Sequence, residues 1–142
     1  MSETVYRPWG YWKVLSYEQN HRSQEYKVKE MTINPGQSIS YQKHKHRAEK
    51  WIVISGELEI YKEVQCFYYN QQNKEYMGGN TLKEMIVLNS PIDSFNVLPE
   101  EWHTAKCVSD IPCRIIEIQY GNMCVENDIE RKERENNKEF EC

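Results

Sequence analysis

Polar and apolar residues alternate in short runs along most of this chain, the period-two pattern of strands that bury one face. Tyr11-Trp-Lys-Val-Leu-Ser-Tyr17 is the first such run, and the polar stretch from Glu18 to Glu25 reads as a surface loop carrying His21. Tyr26-Lys-Val-Lys-Glu-Met-Thr-Ile33 alternates cleanly and predicts a half-buried strand with Tyr26, Val28 and Glu30 on one side. Arg7-Pro-Trp-Gly10 and Asn34-Pro-Gly36 are turns, because proline presets φ and glycine admits values other residues avoid. Trp51-Ile-Val-Ile is aromatic and β-branched and stops at Ser55-Gly56, after which Glu57 to Lys62 alternates again, so these two runs should pair as a hairpin. Val64 to Tyr69 predicts another strand, Gly78-Gly-Asn80 a loop or hairpin tip, and Leu82 to Leu88 either a strand or a short helical turn. Phe95 to Leu98, Thr104 to Val108 and Arg114-Ile-Ile-Glu-Ile-Gln-Tyr120 complete the set. No helical stripe precedes Ile129, so the expected fold is all-β, an antiparallel barrel or jelly roll. After Glu126 the sequence turns rich in charge and Asn, which allows a short C-terminal helix around Asp128 to Arg134 and then a charged tail, 132–142, open to disorder.

One stretch carries more chemistry than its neighbours. Gln42, His44, His46 and Glu49 fall within eight residues, a density of nitrogen and oxygen donors that suits a divalent metal. On an extended strand Gln42, His44 and His46 share a face. Glu49, at odd spacing from His44, joins them only if the chain turns between about Lys45 and Ala48 and a second strand begins near Glu49. Leu98-Pro-Glu-Glu-Trp-His103 offers a distant fourth donor, His103. Two ligand sets are open at this point: Gln42, His44, Glu49 and His103, or the same set with His46 replacing Gln42. Lys43 and Lys45 read as a solvated strand face, whereas Arg47 sits at the turn beside the ligands.

The spacing Gly36, Gln42, His44, Glu49, Gly56 resembles the first motif of the cupin superfamily, and Pro99-x-x-x-His103 resembles the second. In order along the chain, Arg7-Pro-Trp-Gly10, Tyr26-Lys-Val-Lys29, Asn34-Pro-Gly36, Gln42-x-His-x-His-Arg-Ala-Glu-x-Trp51 and Glu126-Asn-Asp-Ile-Glu-Arg131 are similar to the cupin domain of type II mannose-6-phosphate isomerases. The resemblance implies a double-stranded β-helix and a metal shell of Gln42, His44, Glu49 and His103, with zinc as the favoured divalent ion. It implies interconversion of mannose 6-phosphate and fructose 6-phosphate through an enediolate. Arg47 would stabilise the enediolate or the phosphate, and Arg7 is a candidate anion contact at the substrate opening. His46 and Lys29 are the candidates for proton transfer or substrate contact. Glu100 stands where these proteins usually carry Gly after the motif proline, so the turn delivering His103 is expected to be shaped differently. Two other uses of such a site are a cupin that binds or acts on another sugar phosphate or nucleotide sugar without metal, and an Fe(II) dioxygenase.

The totals narrow this further. At 142 residues the chain is expected to be one cupin domain, 1–142, with its core at about 6–131. A net charge of −4 argues against nucleic acid or an anionic membrane as the main partner, leaving a small sugar phosphate attracted by the local cluster of Lys43, Lys45, Arg47 and Lys50. Five Cys with no Cys-x-x-Cys pair indicate neither a disulfide framework nor a zinc knuckle, and reduced thiols fit a cytoplasmic protein. Met1-Ser-Glu-Thr lacks the basic and apolar character of a signal segment. Ten Tyr and four Trp on strands leave aromatic faces to cover, and a homodimer is expected.

Overall fold

The structure is a computed structural model that describes residues 3–20, 24–89 and 94–132. Among them are eleven strands and no helix. Six strands form one antiparallel sheet: β1 (Val5–Arg7), β2 (Gly10–Gln19), β3 (Glu25–Ile33), β5 (Arg47–Ser55), β8 (Ser94–Val97) and β10 (Cys113–Gly121). Their spatial order is β1-β2-β3-β10-β5-β8. The second sheet runs β11-β4-β9-β6-β7, from β4 (Tyr41–Lys43), β6 (Glu57–Asn70), β7 (Glu75–Asn89), β9 (His103–Cys107) and β11 (Glu130–Lys132). Chain neighbours such as β3, β4 and β5 fall in different sheets, and the two inner faces enclose one core.

That core is apolar at one end. Met31, Ile33, Val53 and Ile115 of the first sheet meet Leu58, Ile60, Ala105 and Cys107 of the second, with Phe95 and Val97 beside them, and all are buried. Burying branched aliphatics of this size stabilises by about 1.5–3 kcal/mol each, so this half holds the sheets together. Gly36 and Gly56 take φ of +78° and +84°, as their turns require. A Cβ at Gly56 would come within 2.9 Å of Cys113 Sγ, which keeps that turn glycine.

Several expectations change. The segment after Asp128 is not helical: Glu130–Lys132 pairs with β4, because an open sheet edge satisfies its backbone better than one isolated helical turn. The rest of the expected helix and the charged tail, 133–142, lie outside the described residues, as does His21. Gly78-Gly79 is not a hairpin tip but part of β7, opposite a register shift between Gln65 and Phe67; the tip is at 71–74. Leu82 to Leu88 is strand. On β3 the buried face is Lys29, Met31 and Ile33, while Tyr26 and Glu30 point outward. The turn before β9 keeps a glycine-like backbone despite its sequence, with Glu100 at φ +68°. Among the described residues no helix is long and apolar enough to cross a membrane.

Candidate metal centre

The chain bends at Lys45-His46 and re-enters a strand at Arg47, which brings His44 and Glu49 to one place. His103 opens β9 and stands directly opposite Gln42 of β4, so the two side chains share a face. His44 Nε2 lies 3.4 Å from Glu49 Oε2, and His103 Nε2 lies 3.4 Å from Glu49 Oε1. All three side chains are buried, and each offers a ligand atom within 4.8 Å of the others. Two donors each about 2.0–2.2 Å from one zinc-like ion stand roughly 3–3.5 Å apart, so the spacing fits a shared cation.

The hydrogen bonds around the imidazoles decide what the group can hold. His44 Nδ1 is 2.7 Å from the Asp128 carbonyl and His103 Nδ1 is 3.0 Å from the Glu101 carbonyl. A carbonyl only accepts, so both Nδ1 atoms carry hydrogen and both Nε2 atoms face Glu49. Burial lowers the His44 pKa, with Arg47 adding to the effect against Glu49, and the imidazole is neutral at neutral pH. His103 Nε2 is buried without a hydrogen-bond partner. Burial works against charge on Glu49 too, but His103, His44 and Arg47 outweigh it and hold the carboxyl below the usual carboxylate range. Two imidazole nitrogens and a carboxylate facing one point form a set of three ligand atoms, and a backbone carbonyl behind each imidazole is the usual support for a metal-ligating histidine.

Further side chains fix this group. Trp51 Nε1–H donates to Glu49 Oε1 at 3.3 Å, and Arg47 Nε–H donates to Glu49 Oε2 at 3.2 Å. The Trp51 ring meets His103 edge-on, with centroids 6.0 Å apart. Arg47 also donates to the Val125 carbonyl at 3.0 Å and places Nη2 3.3 Å from His44 Nε2. Residues 124–128 thus form a brace across the site. The Asp128 carboxylate accepts the backbone N–H groups of Lys45 and His46 at 3.0 and 2.9 Å, which sets the bend between His44 and Glu49.

A cavity of about 310 Å³ opens from the group, lined by Gln42, Arg47 and Glu49 and continuing past Lys29, Glu117 and Gln119 to Arg7 and Arg131. Gln42 Oε1 accepts from Ser40 at 3.1 Å. Lys29 is buried, with its ammonium bonded to Glu126 and 3.7 Å from the centroid of the Trp12 ring. Arg7 is exposed at the opening. His46 does not line the cavity; it is half-buried in the bend and held there through its backbone. Lys45 is solvated, but Lys43 packs against Trp102 and pairs with Glu100 at 3.0 Å. Glu117, Gln119, Glu126, Asp128 and Arg131 were not among the candidates; a motif of Glu126, Asp128 and Arg131 was visible in the sequence, while Glu117 and Gln119 left no signal there beyond polar residues in an apolar strand.

Two facing antiparallel sheets that enclose a buried histidine, histidine and carboxylate define a cupin. More narrowly, the chain belongs to the family described as mannose-6-phosphate isomerase C-terminal, which it matches over residues 1–92. It is 36% identical over 129 residues to the alginate biosynthesis protein AlgA of Pseudomonas putida, covering 91% of this chain and 21% of that one. It is 34% identical over 130 residues to a mannose-1-phosphate guanylyltransferase of Salmonella muenchen, covering 92% and 22%. The chain therefore spans about a fifth of the length of these relatives. Oxalate decarboxylase from Bacillus subtilis has the same fold, with a TM-score of 0.68 at 12% identity over 92% of this chain and 30% of that one.

Proposed function

We propose that this cupin is a metal-dependent aldose–ketose isomerase that interconverts mannose 6-phosphate and fructose 6-phosphate. The observation that carries the reading is the buried and converging His44, Glu49 and His103 group, whose Glu49 lines a cavity that Arg7, Arg47 and Arg131 also line. Its membership of a family named for that isomerase supports the choice of substrate. His44, Glu49 and His103 would hold the ion, with Gln42 as the fourth donor and zinc as the favoured metal. When bound, such an ion supplies Lewis acidity toward the oxygens on the two reacting carbons.

The chain's own residues do the rest. Arg47, fixed by Glu49 and Val125, presents a buried guanidinium where negative charge develops as the enediolate forms, and a donor that is already in place needs no reorganisation. Arg7 and Arg131, both exposed and both lining the cavity, suit a phosphate. Trp9, Trp12 and Ile39 line the cavity between, and their apolar surface limits water around the sugar. The test is a coupled assay of mannose 6-phosphate conversion with and without added zinc, repeated on His44→Ala. Turnover should require the ion and vanish in the variant. Turnover that survives both chelation and His44→Ala would replace this reading with a metal-free cupin, and iron-dependent oxygen consumption would replace it with a dioxygenase.

A further inference from the structure

We propose that Glu117 is the group that moves the proton between the two substrate carbons, held in place by Gln119; this deepens the isomerase reading and rests on it. Glu117 lies at the centre of β10, directly opposite Lys29 of β3 on one side and Trp51 of β5 on the other. Its side chain is buried and lines the same cavity as Glu49, one row further from the metal group.

Two independent features point to a ligand at this wall. Gln119 Nε2 donates to the Glu117 carboxylate, while Gln119 Oε1 is fully buried with no hydrogen-bond partner. Leaving a buried carbonyl without a donor is costly, and a sugar hydroxyl is a donor that would satisfy it. The second feature is the disposition of charge. Lys29 is bonded to Glu126, and Arg47 to Glu49 and Val125. The polar and charged groups around Glu117 are Lys29 from β3, Glu49 and Arg47 from β5, Gln119 on its own strand, Glu126 from the brace, and Gln42 and Arg131 from the opposite sheet. Burial first, and Glu49 second, push the Glu117 carboxyl up to about 7 against the pull of Lys29 and Arg47. A carboxyl poised there both accepts and returns a proton near neutrality.

The step balances without a co-reactant. The Glu117 carboxylate takes the proton from C2 of the open-chain aldose; that C–H bond breaks, an O–H bond forms on Glu117, and the electron pair becomes the C1–C2 double bond with negative charge on O1. The hydroxyl proton then passes from O2 to O1, Glu117 returns its proton to C1, and the carbonyl closes at C2. The other candidates are less apt: Lys29 is engaged in an ion pair and His46 does not line the cavity.

Glu117→Gln and Glu117→Asp test the assignment in the zinc-loaded protein. The Gln variant should lose about 10²–10⁴-fold in kcat for mannose 6-phosphate. Its KM and zinc content should stay within about threefold of the parent, and the Asp variant should recover part of the rate. An acid limb of kcat/KM should be present in the parent and absent from the residual activity of the Gln variant. A kcat within about threefold of the parent, or an acid limb that persists, overturns the role of Glu117 alone. A parent protein that does not turn over mannose 6-phosphate overturns the isomerase reading and this role together.

Discussion

The two ends of the same three strands make different use of one rule. On β3, β10 and β5 the inward residues stand in rows: Met31, Ile115 and Val53; then Lys29, Glu117 and Trp51; then Lys27, Gln119 and Glu49. Alternation turns all nine to the same side of the sheet, yet the first row is a dry seal joined by Trp51, while Lys29, Glu117, Gln119 and Glu49 of the other two rows line a charged cavity. The lesson is that strand geometry chooses the face and the neighbours decide what that face tolerates. Charges survive at the polar end because nearly all are answered, Lys29 by Glu126 and Arg47 by Glu49. Glu117 is the exception, with an amide in place of a cation.

Four measurements break or sharpen that contrast. Ile115→Ala, in the dry row, should cost about 2–5 kcal/mol in denaturant unfolding while zinc stoichiometry stays at the parent value. A coupled loss of zinc would show that the two ends are one unit.

Glu117 gives the next effect through pH. Its carboxyl, at about 7 in the folded chain, binds a proton that the unfolded chain releases near 4.5, so between those values the native state holds more protons. The Glu117 contribution to the stability of the metal-free protein should therefore be full below about 4.5 and be lost as pH rises to about 7, by on the order of 3 kcal/mol, while His44, whose pKa is lowered, works in the opposite sense as pH rises towards its ordinary value. Glu117→Gln should remove that slope, as read from unfolding midpoints across the range.

Asp128→Ala should weaken zinc binding about 10–100-fold by calorimetry, because the bend and the partner of His44 lose their anchor although no ligand is touched. Unchanged affinity would reduce the brace to packing. The smallest effect is Glu100→Gly, which relieves a left-handed backbone at φ +68° and loses an exposed bond to Lys43. The net gain should be below about 1 kcal/mol, with zinc affinity unchanged.

Much of this was legible. The offsets among Gln42, His44 and Glu49 forced a bend and a second strand, and the bend is at Lys45-His46. Asn34-Pro-Gly36 and Ser55-Gly56 marked turns that positive φ values bear out. What stayed hidden depended on partners far along the chain. In Arg114 to Tyr120, apolarity favours Ile116 and Ile118 as the buried pair, yet pairing with β3 and β5 turns Glu117 and Gln119 inward. Tyr26, Val28 and Glu30 shared a side as expected, and it was the outer one, because Lys29 follows Glu117 into the cavity. The two glycines of Gly78-Gly79 looked like a tip because local composition cannot see a strand long enough to absorb them. The motif around Asp128 was visible, but its role as an anchor of the bend was not, since its partners lie more than 80 residues earlier.

That separation has a temporal consequence. As the chain leaves the ribosome, His44 and Glu49 emerge long before the residues that orient them, so under the proposed metal-binding role capture of an ion would belong to the finished protein and not to its synthesis. Metal-free protein made without zinc should then be rescued by zinc added after translation has stopped.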